Sequence, residues 1–136
     1  MKFSRQLNCH FDQCDPAGVF FYGQAFTIAH QTIESFLQHI EIPWGDWFDH
    51  PNWAVPIRQA EADFTHKLMA GEKFKAILQV FKLKKSSLGF QVELINEKGE
   101  TCVIVKSIHV FVSKKSGEKI HTPKDFARRI RHYLID

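Results

Sequence analysis

The sequence predicts an α+β protein in which one long helix lies against one face of a meandering antiparallel sheet. Three observations carry that expectation. An apolar stripe at helical spacing runs from about Phe20 to Ile40, and four strand-like runs follow between residues 54 and 113 with only short polar turns between them. The chain also holds too few helical stretches to supply the crossovers that a parallel sheet requires.

Residues 5–11 (Arg5-Gln6-Leu7-Asn8-Cys9-His10-Phe11) alternate apolar and polar, the period of a half-buried strand. Asp12-Gln13-Cys14-Asp15-Pro16-Ala17-Gly18 breaks that period with turn formers. In the helical stretch, Phe26, Ile33, Phe36, Leu37 and Ile40 fall three, four and seven apart and make one apolar face. Residues 41–53, with Pro43, Pro51, Trp44, Trp47 and Trp53, read as an irregular link whose tryptophans either line a pocket or anchor the link to the core. The strand runs are Ala54–His66, Glu72–Lys84, Leu88–Asn96 and Thr101–Ser113. Phe74, Ala76, Leu78, Val80 and Phe81 give the second run its apolar face, and Asn96-Glu97-Lys98-Gly99 is a hairpin signal. A last helix is expected near Thr122-Pro123, with Thr as cap and Pro in the first turn.

A length of 136 residues suits one domain spanning 1–136, and 44% hydrophobic residues, 13 of them Phe, can fill its core. No segment has the length and apolarity of a membrane span, and Met1-Lys2-Phe3-Ser4-Arg5 lacks a signal-peptide run, so a cytoplasmic protein is expected. Cys9, Cys14 and Cys102, in no CxxC spacing, are then expected to be reduced. A net charge of +3 permits an anionic ligand and falls short of a nucleic-acid signature. Dinucleotide, P-loop, zincin and nucleophile-elbow motifs are absent. Among the eight histidines only His30 shares a helical turn with a second ligand type, Glu34, which is too little for a site, so neither metal nor cofactor is expected.

Cys14-Asp15-Pro16-Ala17-Gly18 holds the chemistry. Asp at i, Pro at i+1 and Gly at i+3 is the profile of a type I turn. The turn feeds directly into the long helix, whose N-terminus presents unpaired N–H groups and positive potential where an acyl-transfer oxyanion can sit. A turn can also place a catalyst, so both readings stand. A thiol role for Cys14 would need a histidine base, for which His10 is the neighbour in sequence.

The run Phe11-Asp12-Gln13-Cys14-Asp15-Pro16-Ala17-Gly18-Val19 resembles the signature of the 4-hydroxybenzoyl-CoA thioesterase family, and the element order fits that family from residue 5 to about 125. The resemblance implies a hot-dog fold, an antiparallel five-stranded sheet wrapped around one long central helix, and a homodimer or homotetramer with active sites between subunits. It implies that Asp15 is the catalytic carboxylate, as nucleophile or as general base, that the backbone N–H of Tyr22 polarises the thioester carbonyl, and that Gly18 lets the backbone approach. His30 stands where benzoyl-type members carry an acidic residue. With Gln24 and Glu34-Ser35 around it, His30 is similar to the 1,4-dihydroxy-2-naphthoyl-CoA thioesterases, which implies an aromatic acyl group. Basic hairpins in the family hold the nucleotide phosphates of CoA, and Lys84, Lys85 and Ser87 are the matching positions. The Arg128-Arg129-Ile130-Arg131 run reads as a solvated helix face. The function expected is hydrolysis of an acyl-CoA, with no nucleic-acid or membrane partner. An acyl-carrier-protein thioesterase and a non-catalytic acyl-CoA-binding module are the alternatives.

Overall fold

The computed structural model describes residues 1–135. Strand β1 (Phe3–Asn8) leads through the Asp15 loop to helix α1 (Tyr22–His39). A short helix α2 (Trp44–Phe48) and strand β2 (Trp53–Ala54) precede β3 (Ile57–Phe64), β4 (Lys73–Leu83), β5 (Ser87–Asn96), β6 (Thr101–Val110), β7 (Val112–Ser113) and helix α3 (Lys124–Ile130). Five strands form one sheet in the order β1-β4-β5-β6-β3, with every neighbouring pair antiparallel, and β2 pairs separately with β7. This is the hot-dog fold.

Alternation decides which face holds the helix. Phe74, Ala76, Leu78 and Val80 of β4, Leu88, Phe90, Val92 and Leu94 of β5, and Val103 and Val105 of β6 are all buried. Facing them, α1 buries Ala25, Ile28, Ala29, Thr32, Ile33, Phe36 and Leu37. Phe26, expected on this face, lies outside it and is partly exposed. The small Ala25 and Ala29 hold the inner face in its place, because small side chains let the helix axis approach the sheet. Phe81 also leaves the inner face: a bulge between Val80 and Lys82 turns it outward, where its ring lies over Gly89 and beneath the Lys106 ammonium, 5.4 Å from the ring centre.

Four further features differ from expectation. The Ala54–His66 run is divided at Pro56, which has no N–H and whose carbonyl instead accepts the Val110 N–H at 3.0 Å. The Thr101–Ser113 run breaks at the fully buried Phe111. The link contains α2, whose Trp47 is buried among Phe90, Phe111 and Phe126. Trp47 and Trp53 therefore anchor the link, whereas Trp44 is exposed and donates its indole N–H to Glu34 at 2.7 Å. Pro123, not Thr122, caps α3, and no side chain accepts there.

Candidate active site

The Asp15 loop is closed by its own polar groups. Gly18 N–H donates to the Asp15 carbonyl at 2.9 Å, and Asp15 N–H donates to the Val19 carbonyl at 2.8 Å. Asp15 Oδ1 accepts the N–H groups of Ala17 (2.9 Å) and Val19 (3.2 Å), leaving Oδ2 outside that pair of bonds. Gly18 has φ of +78°, a conformation that explains glycine at this position. The turn expected from Asp-Pro-Ala-Gly is thus formed, and it is stitched to the segment after β3. Phe20 N–H donates to the Leu68 carbonyl and Ala70 N–H to the Gly18 carbonyl.

Three residues beyond Val19 the chain becomes α1, and its N-cap is Phe21, which offers no side-chain acceptor. Helices ordinarily place Ser, Thr, Asp or Asn there to occupy the first N–H groups. Here the Tyr22 N–H opens the helix with no cap and no intrahelical partner. A Cβ on Gly23 would come within 2.8 Å of the Phe21 ring, so glycine lets that ring fold back over the helix entry. Phe21 and Tyr22 pack with ring centres 4.8 Å apart, and they, Phe11 before the turn and Phe26 one turn into the helix are exposed. Gln24 donates its N–H to the Phe21 carbonyl and is half-buried. The Phe21 N–H donates to the Gln13 carbonyl at 2.8 Å, so the uncapped helix start is tied to the segment that leads into Asp15. A carboxylate and helix N–H groups held on one loop can polarise a carbonyl and deliver a nucleophile or base to it.

His30 is half-exposed, 3.5 Å from the Glu34 carboxylate and edge-on to the Phe48 ring. It sits about 12 Å along the helix axis from Tyr22. One acyl group bridging the two in a single chain would have to span that distance, so His30 and the Asp15 loop are not one cluster within a chain. A neighbour that sequence reasoning missed is a buried pair on the inner face of β6. Ser107 Oγ lies 2.8 Å from His109 Nε2, with the imidazole edge-on to Phe90. Burial, with the charge of His30 acting in the same direction, lowers the His109 pKa to about 4. Only the inward parity of residues 103, 105, 107 and 109 could have revealed this pair from sequence.

Lys84 and Lys85 come together at the β4–β5 hairpin, where the Lys84 N–H donates to the Ser87 carbonyl at 2.8 Å. Ser87 thus shapes the turn through its backbone. The hairpin packs on the C-terminal segment, with Thr122 N–H donating to the Lys85 carbonyl at 2.7 Å. Between them lies a cavity of about 590 Å³ whose basic lining is Lys84, Lys85, His121, Lys124 and Arg131. The Lys82 ammonium beside it is held below its usual range, first by lost hydration and then by the charges of Lys84, Arg58 and Lys119. The Thr122 hydroxyl on the same lining is buried without a hydrogen-bond partner. The Arg128–Arg131 run is therefore not one solvated face. Arg128 and Arg129 pair with Asp125, Arg129 also donates to the Ile40 and Glu41 carbonyls, Ile130 is buried, and Arg131 joins the cavity.

Cys14 Sγ meets the backbone carbonyl of His10 and the sulfur of Cys9. Among the described residues no group of three or more His, Cys, Asp or Glu side chains is arranged to hold a metal. No described helix is long and apolar enough to cross a membrane.

Comparison with known proteins identifies the family. Residues 9–130 match the family described as the thioesterase-like superfamily. A 1,4-dihydroxy-2-naphthoyl-CoA hydrolase of Gloeothece citriformis is 29% identical over 111 residues, covering 80% of this chain and 78% of that protein. The protein of the same name from Crocosphaera subtropica is 27% identical over 121 residues, covering 88% and 87%. A solved 1,4-dihydroxy-2-naphthoyl-CoA thioesterase from Synechocystis superposes with a TM-score of 0.89 at 18% identity, covering 96% of each chain, a likeness of fold.

Proposed function

The chain belongs to the thioesterase-like superfamily, and from that premise we propose that it hydrolyses an aromatic acyl-CoA to the free acid and CoA. It is a thioester hydrolase, and the observation that carries the choice of site is the Asp15 carboxylate in a closed turn that opens directly into an uncapped helix N-terminus. The thioester carbonyl oxygen accepts the Tyr22 N–H, and the helix end offsets the negative charge that grows on that oxygen. Asp15 then attacks the carbonyl carbon, giving a mixed anhydride that water opens, or takes a proton from the attacking water. Either route ends in a carboxylic acid and the CoA thiol. Gly18 keeps the loop in the conformation that holds Asp15 there.

The exposed rings of Phe11, Phe21 and Tyr22 favour a flat acyl group, and the names of the relatives point to 1,4-dihydroxy-2-naphthoyl. Gln24 and His30 are the polar side chains of α1 assigned to that group. The 12 Å between His30 and the helix start favours a site in which His30 comes from a second copy. A second copy also suits β3, an edge strand of eight residues that is exposed at all but one position and carries Ile57 and Phe64 bare. Edge strands of this length need cover, and pairing two copies supplies it. Lys84 and Lys85 bind the CoA phosphates, with His121, Lys124 and Arg131 completing the cavity and the Ser87 carbonyl holding the turn.

The test is CoA-thiol release from 4-hydroxybenzoyl-, 1,4-dihydroxy-2-naphthoyl-, phenylacetyl-, short-chain and long-chain acyl-CoA. Fast release confined to an aromatic member is expected; preference for an aliphatic chain would overturn the aromatic reading. The same basic cavity favours a second reading, because carrier proteins are acidic, and faster release from a carrier-protein thioester than from the matching CoA thioester would select it. Tight CoA binding without release would select the binding module.

A further inference from the structure

The Asp15 loop carries two thiols that the hydrolytic chemistry leaves unused. Cys9 Sγ and Cys14 Sγ lie 3.6 Å apart, and Cys14 is the residue immediately before Asp15. The two ends of this pair are held unequally. Cys9 is 2% exposed and fixed by its backbone, its N–H donating to the Glu72 carbonyl at 2.7 Å and its carbonyl accepting the Gly71 N–H at 2.8 Å. Cys14 is partly exposed and sits in the loop, its N–H donating to the Phe11 carbonyl at 3.1 Å and its backbone bridged to Phe20. Cys102, the third thiol, is buried elsewhere, against the Lys67 and Glu100 carbonyls.

We propose that Cys9 and Cys14 form a reversible disulfide that displaces Asp15 and switches the hydrolase off under oxidation. A disulfide brings its sulfurs to about 2.0 Å, so closure requires roughly 1.6 Å of movement. Side-chain rotation supplies part of that movement, and in the proposed switch the loop from Phe11 to Asp15 takes up the rest, because Cys9 is buried and pinned at both its N–H and its carbonyl. Displacement by about 1 Å is enough to cost a catalytic group on the order of a hundredfold in rate.

The chemistry balances with a peroxide as oxidant. The more accessible partner, Cys14, reacts first. Its sulfur attacks one peroxide oxygen, the O–O bond breaks, and Cys14 sulfenic acid and water result. The Cys9 sulfur then attacks the Cys14 sulfur, the S–O bond breaks, and the departing hydroxide leaves as water with the Cys9 proton. Two thiols are oxidised to one disulfide and one hydrogen peroxide is reduced to two waters. Burial, the hydrogen bond with Cys14, and the charges of Cys14 and Glu72 push the Cys9 thiol up to about 12, which keeps Cys9 from being the first to react. A dithiol reverses the step by exchange.

The effect on turnover rests on the Asp15 reading, whereas the disulfide itself does not. The full chain is treated with hydrogen peroxide and then with dithiothreitol, and read by intact mass, peptide mapping, amide exchange and thioester turnover. The expected result is a loss of about 2 Da, a Cys9–Cys14 linked peptide, faster exchange at the Ala17 and Val19 amides, and about a hundredfold lower turnover, all reversed by dithiothreitol. Cys102→Ser should respond like the wild type, and Cys9→Ala and Cys14→Ser should each abolish the response. A Cys14 sulfinic acid with no linked peptide would overturn the proposal, as would a linked peptide with unchanged amide exchange. If the reduced protein turns over no thioester, mass and exchange still decide the disulfide and the loop displacement, and the hydrolase reading fails by itself.

Discussion

Asp15 holds its turn through Oδ1, and the proposed catalytic duty falls to Oδ2, which lies outside those bonds. Oδ1 is bonded to the Ala17 and Val19 N–H groups, so a change at this position touches the turn as well as the chemistry. Asp15→Asn retains an acceptor oxygen, whereas Asp15→Ala leaves two N–H groups without their partner. Denaturant unfolding should place Asn near the wild type and Ala lower by about 1–2 kcal/mol. Gly18→Ala forces a side chain into φ of +78° and should cost about 1 kcal/mol or more, with slower turnover because the loop shifts. His109 makes a pH prediction. Its pKa is about 4 in the native chain and 6.5 unfolded, so below pH 6.5 the unfolded chain takes up a proton that the native chain refuses. The stability it contributes is complete above pH 6.5 and is lost as pH falls towards 4, by about 3 kcal/mol in all. His109→Gln should flatten that slope in urea titrations from pH 7 to 4; an unchanged slope would remove His109 as its source.

At the level of elements, what the sequence made legible was set by local chemistry. Helix α1, the four main strands and the Asn96–Gly99 turn each announce themselves through period or turn residues, and the Gly99 N–H does donate to the Asn96 carbonyl at 3.0 Å. The Asp15 turn was equally legible, because Asp, Pro and Gly each act on their own backbone. What escaped depends on residues distant in the chain. The place of Ala25 and Ala29 on the inner face follows from how closely the helix packs on the sheet, α2 exists because Trp47 finds Phe90, Phe111 and Phe126, and Arg131 meets Lys84 only when α3 docks on the hairpin. That docked cavity makes its own prediction. Lys84→Ala with Lys85→Ala should raise KM for an acyl-CoA by about tenfold, a loss of about 1.4 kcal/mol of binding, and leave kcat nearly intact. A thioester cut short before the nucleotide should not respond, and an equal response from it would show that the hairpin does not meet the phosphates.

For the whole molecule, the bare β3 edge and the exposed aromatic rings before and after the Asp15 loop both point outward from a single chain. Two copies joined along β3 would cover the edge and bring a second helix towards each loop. Phe64→Lys places a charge on that edge, so light scattering should show a smaller assembly than the wild type and turnover should fall with it. A wild type that scatters as one chain while retaining full turnover would show that each chain holds a complete site. The most direct test of the central claim is steady-state release of CoA from 1,4-dihydroxy-2-naphthoyl-CoA by the wild type and by Asp15→Asn, with circular dichroism on both. The Asp15 assignment predicts rapid release by the wild type and release slower by about a thousandfold in a variant of unchanged fold. Equal rates from the two proteins would contradict it and move the chemistry away from Asp15.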